Sequence, residues 1–184
     1  MRERSFACHG RKVSIVLVLE TDRLFLRQLS TEDAEFILEL VNEPSWLRFI
    51  GDKGVRTIDD ACKYILQGPV ASYERFGFGL YLTELKDSGK PIGICGLVKR
   101  ESLADPDIGF AFLPGFWGKG YAFESAAAVL GFAKSAFGLN RILAITAPDN
   151  HSSIRLLAKL GLSFEQMVRF SEDNAELKLF ALNC

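Results

Sequence analysis

Asp107-Ile108-Gly109-Phe110-Ala111-Phe112-Leu113-Pro114-Gly115-Phe116-Trp117-Gly118-Lys119-Gly120-Tyr121-Ala122 reads as a strand, a glycine-rich turn and the start of a long apolar helix. The strand is apolar on both faces, Ile108, Phe110 and Phe112 on one and Gly109, Ala111 and Leu113 on the other. That is the pattern of a central strand covered on both sides. The first amides of a helix have no intrahelical partner, and the helix dipole adds partial positive charge there. Glycines let a bulky anion come close to such a backbone. The stretch therefore predicts a phosphate or pyrophosphate site made of main chain. The plain alternative is an ordinary tight turn before a helix.

Two common phosphate motifs fit poorly. A Walker loop needs Gly-Lys followed by Ser or Thr, and here Gly120 follows Lys119. A dinucleotide fingerprint begun at Gly118 would need a third glycine at position 123, which is Phe123.

Outward from this stretch, the helix is expected to run to about Phe137, with Gly138 as its stop. Upstream, residues 78–85 and 91–99 read as two strands joined by Asp87-Ser88-Gly89-Lys90, a hairpin signal. Residues 23–29 read as a strand, and Val13 to Leu19 as a first strand or lead-in. Ser30 with Asp33, and Thr57 with Asp60, form two capping-box helix starts. Asn42-Glu43-Pro44 ends the first of these helices, and Gly68-Pro69 breaks or kinks the second. Trp46, Phe49 and Ile50 are expected in a loop. Downstream come a strand at 141–146, a short helix after Pro148-Asp149-Asn150, and a final strand pair at 162–166 and 176–182. This order predicts one mixed α/β domain around an open sheet.

Composition narrows the function. The 184 residues suffice for one domain with a real core, and 48% hydrophobic with 24% charged residues is ordinary for a globular protein. The net charge of −1 supplies no basic surface for nucleic acid. The cysteines at 8, 62, 95 and 184 show no C-x-x-C spacing, which fits reduced thiols in the cytoplasm. His9 and His151 are far apart, so no metal site is expected. The apolar run at Val13 to Leu19 is too short to span a bilayer, and no cleavage site follows it.

The order of elements, with Trp117-Gly118-Lys119-Gly120-Tyr121-Ala122 and Asn150-His151-Ser152-Ser153, resembles the GNAT family of N-acetyltransferases. Within it the chain is similar to the ribosomal-protein N-terminal (RimJ/RimL-type) acetyltransferases. Leu19-Glu20-Thr21-Asp22-Arg23-Leu24-Phe25-Leu26-Arg27, Arg48-Phe49-Ile50-Gly51 and Lys159-Leu160-Gly161-Leu162 carry that likeness, which spans roughly Leu17 to Leu182. It implies a three-layer α/β (α+β) domain at 17–184 after an N-terminal extension at 1–16. Its central mixed, mostly antiparallel sheet would have six to seven strands, flanked by about four helices.

The family's pyrophosphate motif is R/Q-x-x-G-x-G/A, and Trp117, Gly120 and Ala122 take its first, fourth and sixth places. The resemblance implies that the amides of Gly118, Lys119, Gly120, Tyr121 and Ala122 cradle the pyrophosphate of acetyl-coenzyme A. It implies that Phe112 and Leu113 pair with the pantetheine arm and place an amide near the thioester carbonyl, where it favours the developing oxyanion. Asp107 is the first candidate base, acting through a water; the bland reading is a solvated strand-end carboxylate. Glu84 and Glu101 are weaker candidates. Many relatives carry a tyrosine acid in the last helix, but Leu157 stands there. Ser153 is the substitute donor, or else a helix-start residue that satisfies backbone amides. Asn150 bonds the pantetheine or holds its turn; His151 is a base near physiological pH or, on the plainer reading, a surface loop residue. Asn150-His151-Ser152 is also a formal glycosylation sequon, which a cytoplasmic setting sets aside. Trp46 and Phe49 are candidate walls of an acceptor pocket.

The implied reaction is direct attack of an amine on acetyl-coenzyme A. The expected partners are that co-substrate and an amine acceptor, with no nucleic acid and no membrane; a homodimer is compatible with the family. A non-catalytic acyl-coenzyme A binding module and a nicotinamide-dependent oxidoreductase are the alternatives.

Overall fold

The computed structural model describes residues 16–170 and 175–183. The expected N-terminal extension, with Cys8 and His9, and Cys184 lie outside the described residues, apart from Val16. Eight strands form one sheet: β1 (Leu17–Glu20), β2 (Leu24–Arg27), β3 (Leu80–Leu85), β4 (Pro91–Val98), β5 (Asp107–Phe112), β6 (Arg141–Thr146), β7 (Ser163–Val168) and β8 (Leu177–Asn183). Their spatial order is β1-β2-β3-β4-β5-β6-β8-β7. The sheet has one strand more than expected, because the lead-in at 17–20 pairs antiparallel with β2.

Every neighbouring pair is antiparallel except β5 and β6, which run parallel. This exception shapes the molecule. β4 and β5 pair along six residues, and β6 and β8 along six. Between β5 and β6 the register holds only Asp107 opposite Leu143, beside a bond from the Leu143 amide to the Pro106 carbonyl. Past that point the two halves of the sheet diverge.

On one face lies α5 (Tyr121–Phe137), whose Ala126, Val129, Leu130 and Ala133 are buried against β2, β4 and β5, and beside it α6 (His151–Lys159). On the other face α1 (Ala34–Val41) and α3 (Ile58–Ile65) pack over Leu82 and Ile94. Both capping boxes are formed, Ser30 with Asp33 and Thr57 with Asp60. Gly138 closes α5 in the left-handed conformation.

Two local expectations change. Residues 44–49 form a helix, α2 (Pro44–Phe49), and not a loop. Pro44 sits in its first turn, where a missing N–H costs nothing, so the residue that ends one helix opens the next. The Gly68-Pro69 pair also leaves the helical path intact. A π turn at Leu66–Val70 carries it from α3 into α4 (Ala71–Phe76). The wider turn accommodates a proline that lacks its donor.

Candidate active site

The divergence of β5 from β6 opens a cavity of about 1130 Å³. β5, the glycine turn, α5, β6 and α6 line one part of it; α2, α3 and α4 line the other. Asp107, Phe112, Trp117, Gly118, Gly120, Tyr121, Ala122, Asn150 and Ser153 all face this space. Leu113 and Lys119 do not. Leu113 is buried toward α1 and α3, and its amide donates to the Ile92 carbonyl at 3.0 Å. In an antiparallel pair successive amides alternate sides. The Phe112 amide therefore points away from β4, toward the gap. Lys119 is exposed, with its ammonium 5.4 Å from the centre of the Phe116 ring.

The turn itself is built for close approach. Gly118 and Gly120 have φ of 73° and 85°, the left-handed region that glycine occupies freely. Gly118 has open space where a side chain would stand. Backbone bonding stops at the Trp117 amide, which donates to Pro114, and resumes with the Glu124 amide, which donates to Gly120. The amides between them lie at the N-terminus of α5, a helix of 17 residues. The Trp117 indole N–H donates to the Phe112 carbonyl at 2.7 Å and ties the turn to the strand end.

The turn is braced from behind by residues that the sequence reading did not single out. Glu124, in the first turn of α5, accepts from the Thr21 hydroxyl at 2.6 Å, the Arg23 amide at 2.9 Å and Arg23 Nε at 2.7 Å. Burial alone would raise the Glu124 carboxyl; the bonds from Thr21 and Arg23 outweigh it and hold the group below its ordinary value. Arg23 Nη1 also donates to the Lys119 carbonyl at 3.0 Å, and the guanidinium lies 4.6 Å from the centre of the Tyr121 ring. The available signal was Thr21-Asp22-Arg23, part of the stretch that carried the family likeness.

Asp107 is not solvated. It is 1% exposed, and its carboxylate accepts from Arg100 Nε at 2.8 Å. Burial pushes its carboxyl up from the ordinary value, while Arg100 pulls the other way. The Arg100 side chain is 40% exposed and faces the cavity, as does Tyr64, whose hydroxyl burial pushes up to about 12. The other two acids fare worse as bases. Glu84 is bound by Arg27 Nε at 2.9 Å, within a buried network that also holds Asp33, and Glu101 is exposed in the turn after β4; neither lines the cavity.

At the other wall, the Asn150 side chain accepts from the Ser153 amide at 3.1 Å. The helix-start role considered for Ser153 thus belongs to Asn150, and Ser153 receives the cap. Leu157 is 1% exposed, packed in the core and part of the cavity lining. His151 is exposed as expected, but it opens α6 instead of lying in a loop, and it lines the cavity. Trp46 and Phe49 line the part of the cavity bounded by α2, α3 and α4, Trp46 at 4% exposure. Arg48 of α2 reaches across to Asp149, at 2.8 Å, and so links the two walls. Among the described residues no cluster of His, Cys, Asp or Glu could hold a metal ion, and no helix is long and apolar enough to cross a membrane.

This geometry has close parallels. The acetyltransferase (GNAT) domain family matches residues 23–163. An uncharacterized N-acetyltransferase, YoaA of Bacillus subtilis, is 33% identical over 154 residues, covering 83% of this chain and 86% of that protein. The crystal structure of an acetyltransferase from Agrobacterium tumefaciens superposes with a TM-score of 0.77 at 21% identity, over 100% of this chain and 99% of that one. RimL, a ribosomal L7/L12 α-N-protein acetyltransferase solved with coenzyme A, superposes with a TM-score of 0.77 at 18% identity, over 92% and 98% of the two chains. A glycine turn at the mouth of a split sheet, within a matching family domain, fixes the assignment: the chain belongs to the GNAT acetyltransferases and is an acyltransferase.

Proposed function

We propose that the protein transfers the acetyl group of acetyl-coenzyme A to a primary amine, either a protein N-terminus or a small molecule, in the cytoplasm. The observation that carries this reading is the unbonded run of amides at the start of α5, set at the mouth of the gap between β5 and β6. The pyrophosphate sits on the amides of 118–122, and the pantetheine arm enters the gap as a substitute strand. Asn150 and Ser153 flank that arm from the N-terminal end of α6. The Phe112 amide supports the thioester oxygen as charge develops on it.

The acceptor enters from the side of Trp46, Phe49 and Tyr64. Its neutral nitrogen attacks the thioester carbon, so a C–N bond forms and the C–S bond breaks. The ammonium proton passes through a water to Asp107. The Ser153 hydroxyl donates a hydrogen bond to the departing thiolate, which takes its proton from solvent; a thiolate leaves readily, so Leu157 in place of a tyrosine is tolerated. The RimL structure with coenzyme A supports the cofactor assignment by fold.

One other reading has an observation in its favour. Asp107 is already paired with Arg100, which suits a non-catalytic acyl-coenzyme A binder. Turnover on a panel of amines separates the two.

Calorimetry with acetyl-coenzyme A tests the site. Gly120→Glu puts bulk and negative charge at a left-handed position, with its Cβ 3.2 Å from Arg23 Nη2. Micromolar binding to the wild type, lost in a folded Gly120→Glu, is the expected result. A wild type that binds no acetyl-coenzyme A would overturn both readings.

A further inference from the structure

We propose that Arg23, anchored by Glu124 and Thr21, is a positioning residue that aims the Gly120 amide at the pyrophosphate of the acyl-coenzyme A. The inference rests on the proposed cofactor site and assigns to it a residue outside the glycine turn.

The argument begins with one peptide plane. The described peptides are all trans, so the Lys119 carbonyl and the Gly120 N–H point in opposite directions. Arg23 Nη1 holds that carbonyl at 3.0 Å from the side of β2. The Gly120 N–H is thereby turned away from Arg23, and Gly120 itself faces the cavity. A glycine at φ 85° has no side chain to hold this orientation. Without an external hold, the Lys119–Gly120 plane is freer to turn on its glycine side than a plane between two residues with side chains.

Arg23 is well placed to supply that hold. Its Nε and Nη2 lie 2.7 Å and 2.6 Å from Glu124 Oε2, and its amide and the Thr21 hydroxyl both bond Oε1. A planar fork bound at one edge has its remaining donors fixed in direction. The Tyr121 ring supports the same guanidinium at 4.6 Å. The pair is electrically neutral, so its contribution to anion binding is orientation, not added charge. The anion-binding turn is thus set by a segment some hundred residues earlier in the chain, at the entrance to β2. Preorganised donors bind without first being ordered, which is where such a clamp raises affinity.

The test uses the full chain, with coenzyme A in calorimetry and inorganic pyrophosphate in amide NMR. Arg23→Gln is expected to weaken coenzyme A binding about tenfold or more, and to abolish the saturable shifts that pyrophosphate induces at the Gly118 and Gly120 amides. Arg23→Lys keeps the charge but cannot bridge Glu124 and the Lys119 carbonyl together; it is expected to weaken binding several-fold. It decides the matter if Arg23→Gln does not fold. A purely structural role would lower the melting temperature and leave the pyrophosphate shifts intact. Wild-type affinity in both folded variants, with unchanged shifts, overturns the clamp and leaves the site standing. No coenzyme A binding by the wild type overturns the site together with the clamp.

Discussion

Asp107 is 1% exposed and yet lines the cavity, held by Arg100 at 2.8 Å. A carboxylate that burial pushes up is more useful as a base near neutral pH than an ordinary one, because the acid–base pair sits closer to the working range. Arg100 restrains that rise and orients the group. Asp107→Asn keeps the shape and removes the proposed proton acceptor. It is expected to lower kcat by ~10²–10⁴-fold, the usual range for loss of general-base assistance, with the affinity for acetyl-coenzyme A unchanged. The pH profile supplies the sign. If Asp107 is the base, the wild-type rate is expected to rise as it deprotonates, above the ordinary carboxylate range of ~3.9, and again as the amine loses its proton, near ~8 for an α-amino group. In Asp107→Asn the lower limb disappears and the amine limb stays. A variant with the wild-type profile would show that Asp107 only orients Arg100.

Among elements, the turn from β5 into α5 was the most legible in sequence. Its glycines, the apolar strand before it and the alanine-rich helix after it all read locally, and every one of these features sits where it was expected. What holds the turn was not legible. Glu124 lies 101 residues from Arg23 and 103 from Thr21, and no local pattern says that β2 begins beside α5. The same blindness applied to Arg100, whose role depends on β4 and β5 pairing in a register that brings Val98 opposite Asp107. Residues 44–49 were misread for a different reason. A proline is both a helix stop and a favoured first-turn residue, and sequence alone does not choose between them.

The brace predicts a pH dependence of stability that belongs to α5. The Glu124 carboxyl is held below its ordinary value of 4.5. A depressed carboxylate stabilises the fold above that value, and the contribution is lost as pH falls through the lower folded value. The pair is half-open to solvent on the Arg23 side, at 48% exposure, so about 1 kcal/mol is the expected size. Urea unfolding of wild type and Glu124→Gln checks this. The variant is expected to be less stable at pH 7, with the gap closing in acid below 4.5. A gap that persists at low pH would mean that packing, not charge, is lost in the variant.

For the whole molecule, the consequence of the split sheet is that its two halves share an apolar core with α5 but little backbone bonding. Beyond Asp107 opposite Leu143 and the bond to Pro106, the β5–β6 seam has no ladder, and its far walls meet through an exposed ion pair, Arg48 with Asp149. A co-substrate that enters the gap as a strand would bond both halves at once, so binding and global stability should be coupled. Ligand that binds only the folded state adds RT ln(1 + [L]/Kd), about 2.7 kcal/mol at a hundredfold excess over Kd. For a chain of this size ~1 kcal/mol shifts the melting temperature by roughly 2–4 °C. Coenzyme A at that excess is therefore expected to raise the melting temperature by about 5–10 °C, and the rise should grow with the logarithm of concentration. Hydrogen exchange would locate the effect. Amides of β5 and β6 that face the gap should gain protection, while those of β1 and β2, at the far edge of the sheet, should gain only what the global shift confers. Protection confined to α5 would instead mean that the pyrophosphate binds without the arm entering the seam, and the strand-like pose of the pantetheine would have to be abandoned.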